Sequence, residues 1–200
     1  MKHNRTHASK RRRAPGFTLT ELMVATSVFS LVIIGILAVQ TFGMKMYQIS
    51  EAKMTATADG RKALNRLRGD VLEGKVLNIQ NRTSTTNSNI AANSQQMGNA
   101  LQIFPTAAMT NYVLYYIDSA SGCLKRFDSL DGETEVLASS VTNQIAFQAE
   151  DFQGNVLTNN QNNRVIRMVL EFNQREYLGS SGSLYDSYRV QTRITRRSID

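Results

Sequence analysis

The side chains that could carry out catalysis in this 200-residue chain are few and poorly placed. Cys123 is its single cysteine, so it has no internal partner for a disulfide bond. A cysteine nucleophile needs a histidine, yet His3 and His7 both lie in a basic stretch at the N-terminus. We therefore predict no cysteine–histidine catalysis and no histidine-based metal site, and we interpret Cys123 as an unreactive, buried thiol.

Acidic side chains offer two further possibilities for chemistry. Glu150 and Asp151 are neighbours, but alternation along a strand sends neighbouring side chains to opposite faces, which argues against joint acid–base catalysis. Asp118, Asp128 and Asp131 could gather around a calcium ion, but their spacing matches no calcium-binding loop, and solvated turn carboxylates are the simpler interpretation. The sequence thus predicts no catalytic residue, no cofactor and no bound metal.

The C-terminal segment combines basic with aromatic residues. Such a surface could bind DNA by contacting phosphates and stacking bases. The alternative is an ordinary solvated edge strand, because charged side chains on an edge discourage aggregation. We favour the edge strand and keep as the alternative a head that binds DNA or a surface ligand; the residues concerned are Tyr185, Tyr188, Arg189, Arg193, Arg196 and Arg197.

The net charge of +7 comes almost entirely from the N-terminus. Six of the 23 lysines and arginines precede Gly16, with no acidic residue among them. Subtracting these six leaves 17 basic against 16 acidic side chains, so a chain without its first 16 residues is nearly neutral. The basic bias therefore indicates targeting of the N-terminus and says little about a ligand.

Residues 22–44 contain no charged side chain. As a helix this stretch reaches about 34 Å at roughly 1.5 Å per residue, enough to cross a hydrocarbon layer ~30 Å thick. Basic residues on its N-terminal side predict a cytoplasmic start and export of the rest of the chain.

Three kinds of segment combine a basic start with an apolar stretch: a cleaved secretory signal, a plain membrane anchor, and a precursor that is cut before the apolar stretch. A secretory signal needs a small-x-small site, and Ala38 with Ile36 two residues before it is a poor match. A plain anchor does not explain Glu21, because a carboxylate inside the membrane costs ~2.5–3.5 kcal/mol and needs a partner. Glu21 could also lie at the headgroups or favour a helix N-terminus.

Residues 16–22, Gly-Phe-Thr-Leu-Thr-Glu-Leu after a basic leader, resemble the prepilin processing site of the type IV pilin superfamily. The resemblance implies that a prepilin peptidase cuts between Gly16 and Phe17 on the cytoplasmic face and methylates the new amine of Phe17. It also implies that Glu21 pairs with the N-terminal amine of a neighbouring subunit during assembly. Two charges that are each costly in an apolar filament core become tolerable as a pair.

A second resemblance concerns residues 61–71, Arg-Lys-Ala-Leu-Asn-Arg-Leu-Arg-Gly-Asp-Val, which look like the corresponding region of J-type minor pseudopilins and related minor pilins. The two resemblances imply a structural subunit of a type II secretion pseudopilus or a type IV pilus. Its partners would be other pilin or pseudopilin subunits, the peptidase and the membrane. The expected location is the inner membrane, crossed once, with the C-terminal head in the periplasm and the mature chain in a filament.

One long helix is expected to follow the leader, residues 1–16, because no proline occurs between Pro15 and Pro105. We predict that it runs from about residue 17 to the high seventies, weakened at Gly35, Gly43, Gly60 and Gly69. Its first half, residues 17–44, would cross the membrane and mediate assembly. Its second half, residues 45–80, is amphipathic: Leu64, Leu67, Val71 and Leu72 predict a packing face, and Arg61, Lys62, Arg66, Arg68 and Asp70 a polar side.

The remainder of the chain divides into a polar segment and a β-rich head. Residues 81–99 are polar and low in complexity, which predicts a loop. Residues 100–200 predict short strands with loops at 158–163 and 177–186, and a helix followed by strands indicates an α+β fold with an antiparallel sheet, as in pilin-like heads. The predicted strands are residues 112–117, 123–127, 135–137, 141–150, 166–172 and 187–196.

Overall fold

The computed structural model describes residues 16–83, 85–159, 164–176 and 184–197, and the chain divides into two compact units, Met1–Met46 and Tyr47–Asp200. One helix, α1, extends from Leu19 to Glu73 and is continuous through Gly35, Gly43, Gly60 and Gly69. It ends earlier than the predicted high seventies, and Gly74 follows it directly. A Cβ at position 74 would lie 2.7 Å from Ile103 Cγ2, so any other residue there would force the buried Ile103 side chain to shift.

Ten strands follow the helix and form two antiparallel sheets. The first sheet has six strands in the order β2-β1-β4-β5-β6-β7, and the second has four in the order β10-β9-β8-β3. The predicted α+β, pilin-like class is therefore confirmed. The strands are β1 (Val76–Arg82), β2 (Asn87–Asn89), β3 (Met97–Gly98), β4 (Ala100–Phe104), β5 (Val113–Asp118), β6 (Cys123–Asp128), β7 (Thr134–Ala138), β8 (Phe147–Glu150), β9 (Val165–Glu176) and β10 (Leu184–Thr195).

The polar segment at residues 81–99 is not simply a loop. It contains the end of β1 and two short strands, β2 and β3, of which β2 pairs with β1. The Asn99 side chain fastens it further, accepting a hydrogen bond from Arg82 N at 2.6 Å and donating one to Arg82 O at 2.7 Å. These contacts use backbone groups and polar side chains and need few apolar residues. The composition of residues 81–99 therefore resembles that of a loop.

Two other boundaries differ from the prediction. The alternating stretch at residues 141–150 forms a strand at Phe147–Glu150 alone, because the Asn143 side chain bonds Glu171 N and Val169 O in place of a strand backbone. The predicted loop at residues 177–186 gives way to β10 from Leu184 onward. Residues 177–183 of that loop, and residues 160–163 of the loop predicted at 158–163, lie outside the described residues.

The core of the second unit lies between the amphipathic half of α1 and the sheets. Ala63, Leu67 and Val71, on one face of α1, are buried and Leu64 is partly buried, as the periodicity predicts, whereas Leu72 is exposed. They belong to one apolar cluster whose main members from the strands are Leu77, Ile79, Leu101, Ile103, Tyr115, Leu124, Phe147, Ile166, Met168, Leu170 and Phe172.

Candidate processing and assembly site

Gly16, Phe17 and Thr18 immediately precede the first residue of α1, and residues 1–15 of the predicted leader lie outside the described part of the chain. The Phe17 side chain is 88% exposed. A Cβ added at Gly16 would meet no atom within 4 Å. The fold therefore gives no steric reason for glycine at position 16.

Thr18 and Glu21 form a capping box at the start of α1. Glu21 Oε2 accepts hydrogen bonds from Thr18 N at 2.8 Å and from Thr18 Oγ1 at 2.9 Å, and Thr18 Oγ1 lies 3.3 Å from Glu21 N. This reciprocal arrangement satisfies backbone N–H groups that a helix start leaves without partners. Glu21 thus has a local structural role, as one of the interpretations of its position predicted.

The capping box uses one of the two carboxylate oxygens. In the described part of the chain, the hydrogen bonds to the Glu21 side chain all reach Oε2. Oε1 remains accessible, since Glu21 is exposed. The geometry can therefore hold the helix start and still offer an oxygen to a cation from outside the chain.

Every large apolar side chain between Phe17 and Met46 is at least 40% exposed. This first half of α1 is long and apolar enough to cross a membrane, judged by length and composition. Four of its hydroxyl side chains donate to carbonyls of the preceding turn, which satisfies them in a segment without water: Thr26 bonds Met23 O, Ser27 bonds Val24 O, Ser30 bonds Thr26 O and Thr41 bonds Ala38 O. The surface fits an apolar environment of lipid or other helices.

Cys123 and Asp118 lie near each other at the start of β6 and the end of β5. Cys123 is partly exposed, with its Sγ 3.4 Å from Ser121 O, so its assignment as a buried thiol was wrong. Asp118 accepts hydrogen bonds from Lys125 Nζ at 2.6 Å and Ser121 Oγ at 2.7 Å. These bonds, the one from Lys125 first, lower the pKa of Asp118 to about 2.

The three candidate calcium ligands do not converge. Asp118 is bound to Lys125, and Asp128 Oδ2 lies 3.1 Å from Arg126 Nη2. Across the described residues, no group of three or more histidine, cysteine, aspartate or glutamate side chains is placed to hold a metal ion. The geometry therefore favours solvated or ion-paired turn carboxylates over a calcium site.

Glu150 is a buried charge that the sequence did not reveal. Its carboxylate is 1% exposed and lies 3.1 Å from Arg167 Nη1 and 2.8 Å from Arg193 Nε. Arg167 and Arg193 face each other across β9 and β10, and two opposed cations need an anion between them. Asp151 instead closes a turn by accepting hydrogen bonds from the N–H groups of Gly154 and Asn155.

A second ion-paired cluster joins α1 to the six-stranded sheet. Asp70, assigned from sequence to the polar side of the helix, instead contacts the sheet: its Oδ2 accepts hydrogen bonds from Tyr115 OH at 2.6 Å and Arg126 Nε at 2.8 Å. Burial and the neighbouring Asp70 carboxylate raise the pKa of Tyr115. Burial alone would lower the pKa of Arg126, but Asp70 beside it raises it.

An exposed apolar helix that continues into an α+β head defines a pilin-like architecture. Residues 11–37 match the family model described as the prokaryotic N-terminal methylation motif. This range contains Gly16, Phe17 and Glu21 and supports a type IV pilin-like protein. No curated protein and no solved structure matches the chain.

Proposed function

We propose that the chain is a minor structural subunit of a type II secretion pseudopilus or of a type IV pilus. A prepilin peptidase cuts it between Gly16 and Phe17 and methylates the new amine of Phe17, and the mature chain assembles through α1. The observation that carries this proposal is the exposed apolar half of α1, which begins directly after the predicted cut and has Glu21 in its first turn.

The surroundings of Gly16 support processing by another protein. Since a Cβ at this position would meet open space, glycine is not needed for the fold of this chain. The requirement for it is then best placed in the active site of the peptidase, where the backbone must approach closely.

The geometry of Glu21 supports its role in assembly. Its accessible Oε1 can accept the amine of Phe17 from a neighbouring subunit while Oε2 keeps the helix cap. In an apolar bundle an unpaired carboxylate and an unpaired ammonium are both costly, so the pair selects subunits that have been cut.

The chain itself performs no catalysis in this proposal. Before assembly it crosses the inner membrane once, with the C-terminal head in the periplasm, and after assembly it belongs to a filament. The resemblance at residues 61–71 supports a J-type position within such a filament.

Binding of DNA by the C-terminal strand is not part of the proposal. Two of the four arginines named for DNA binding already have carboxylate partners: Arg193 pairs with Glu150, and Arg189 Nε lies 3.6 Å from Glu171 Oε1. Arginines already paired with carboxylates contribute less to phosphate binding, because those carboxylates repel the phosphates. β10 is also an edge strand of its sheet, which fits the edge interpretation of these charges.

Processing is tested on protein purified from the native host. Mass spectrometry is expected to find a mature chain that begins at a methylated Phe17. A Gly16→Leu variant should retain its leader, whereas Ala14→Leu, outside the predicted cut, should still be processed. A mature chain that starts elsewhere, or retains residues 1–16, would contradict the proposed function.

Two variants separate the capping role of Glu21 from its pairing role. Glu21→Gln keeps a side chain that can cap the helix but removes the charge, and Thr18→Val removes the cap hydroxyl but keeps the charge. If pairing drives assembly, filament incorporation falls by about tenfold or more in Glu21→Gln and little in Thr18→Val.

Both variants should be processed at Phe17, which is the internal control for folding and membrane insertion. The reverse pattern, with Thr18→Val defective and Glu21→Gln normal in a complementation assay, would assign Glu21 to capping alone.

A further inference from the structure

An open groove of about 500 Å³ lies between the second half of α1 and the edge strand β10. Leu64, Arg68 and Leu72 line its helix side at intervals of four residues, and hence on one helical face. Residues 192–195 line the other side. We call this surface the α1–β10 groove.

The α1–β10 groove is basic. In the described part of the chain Arg68 has no acidic partner, because Asp70 is directed to Arg126 and Glu73 lies roughly 140° around the helix from Arg68. A second groove, of about 300 Å³, extends the basic surface where α1 ends, and it is lined by Lys75, Arg196 and Arg197. Arg68, with a leucine about one turn before it and another about one turn after it, fits a carboxylate that lies next to an apolar side chain.

The chain carries such a feature at the turn between β6 and β7, residues 129–133, which we call the Leu130 turn. Leu130 is 71% exposed, and Asp131 and Glu133 beside it have no basic partner among the described residues. Asp128 fixes the turn: Oδ1 accepts Leu130 N at 3.1 Å, and its carbonyl accepts Gly132 N at 2.9 Å. Because the turn is already ordered, docking through Leu130 costs little conformational entropy.

We propose that the Leu130 turn of one copy docks in the α1–β10 groove of a second copy of this chain. Leu130 packs against Leu72, and Asp131 and Glu133 face Arg68. The contact joins two different surfaces, so in a pair of copies one groove and one turn stay free for other subunits of the filament. This inference rests on the proposed assembly into a filament and adds where the heads meet.

The contact is tested by crosslinking full-length chains in the native host, on a Cys123→Ser background so that no other thiol reacts. One tagged copy carries Leu72→Cys and a differently tagged copy carries Leu130→Cys. Oxidation is expected to give a disulfide-linked dimer with both tags. Phe152→Cys, on another exposed turn, replaces Leu130→Cys as the control and should give about tenfold less product.

Charge exchange tests the same contact independently of the crosslink geometry. Arg68→Glu in the groove copy should lower the yield of crosslinked dimer about tenfold, and Asp131→Arg with Glu133→Arg in the other copy should restore it. Arg61→Glu makes the same charge change two turns earlier, outside the residues that line the groove, and should leave the yield unchanged.

The outcomes separate this inference from the proposed function. If the chains are processed at Phe17 but no dimer forms, or if the dimer contains another protein in place of the second copy, the head contact is overturned and the function stands. Chains that are not processed at Phe17 would overturn the function itself. Restoration of the crosslink by the exchanged charges cannot arise from misfolding and would establish the contact.

Discussion

Glu21 shows how one residue can satisfy two interpretations that the sequence leaves open. Its position five residues into the predicted mature chain indicates assembly, and the pattern Thr18-x-x-Glu21 is also the signature of a capping box. The sequence alone could have predicted the cap from that spacing. It could not have predicted that the cap occupies a single carboxylate oxygen, since that depends on the rotamer of Glu21.

The Asp70–Tyr115–Arg126 cluster predicts a specific order of stabilities. Asp70→Ala leaves the buried Arg126 without its closest carboxylate, and we expect a loss of about 2 kcal/mol in the free energy of unfolding. Tyr115→Phe removes one hydrogen bond but keeps the ion pair, so the loss should be about 1 kcal/mol. Thermal unfolding of the full chain in detergent measures both.

Asp131→Ala is the matched control, because it removes an exposed aspartate from a turn. It should change the free energy of unfolding by less than ~0.5 kcal/mol. Equal losses in Asp70→Ala and Asp131→Ala would show that the cluster does not fasten α1 to the sheet.

The lowered pKa of Asp118 predicts that the free energy of unfolding depends on pH in the acidic range. Its folded-state pKa of about 2 is below the unfolded value, so its contribution to stability is present above the unfolded pKa and is lost as the pH falls through about 2. Lys125→Met removes the principal hydrogen bond and should raise the pKa of Asp118 toward its ordinary value. Carboxyl-carbon NMR titration measures the midpoint, with Lys75→Met as a variant that should leave it unchanged.

Among the elements, the strands in the second half of the chain could be predicted because their pattern is dominated by burial. Residues 112–117 are apolar on both faces, as in a central strand, and residues 166–172 alternate between apolar and polar; β5 and β9 lie there. β1 was not predicted, because Gly74 is the one signal in the sequence that separates it from α1. The apolar pair Val76-Leu77 can continue a helix as well as begin a strand. The packing of Gly74 against Ile103 decides between the two, and such a contact is not visible in sequence.

Two glycines should respond in opposite ways to alanine. At Gly98 in β3 a Cβ would lie 2.3 Å from Gln80 O, a backbone atom that cannot move aside, so we expect Gly98→Ala to cost about 2 kcal/mol or more. At Gly69 in α1 a Cβ would meet nothing within 4 Å, and Gly69→Ala should stabilise the helix by about 0.5–1 kcal/mol.

Urea unfolding of the full chain in detergent compares the two glycine variants. Both variants add the same methyl group, so the sign of each change in the free energy of unfolding reports the packing around that glycine. Destabilisation by both variants would mean that, in solution, other atoms lie close enough to Gly69 to clash with an added Cβ.

At the scale of the whole molecule, we predict that the head, residues 47–200, folds without the apolar first half of α1. Every residue of the apolar cluster lies within Tyr47–Asp200, so a chain that begins at Tyr47 should be water-soluble and should unfold in one cooperative transition. The full chain, with its exposed apolar helix, should instead remain with the membrane after an alkaline wash. Gel filtration, circular dichroism and fractionation measure these properties.

Leu67→Asp in the shortened chain is the control for the core. Leu67 is fully buried, so an aspartate there should abolish the cooperative transition. If the shortened chain aggregates or melts gradually while still carrying Leu67, the head depends on the first half of α1 for its stability.

The position of the cap relative to the cut has a consequence for maturation. Thr18 and Glu21 both lie on the product side of the predicted cut, so every atom of the cap survives removal of the leader. Precursor and product then share the same first helical turn, and cleavage needs no refolding of the segment. The predicted cut changes the neutral peptide nitrogen of Phe17 into a cation two residues before the first residue of an intact helix, so an unassembled subunit can wait in the bilayer already in its final conformation.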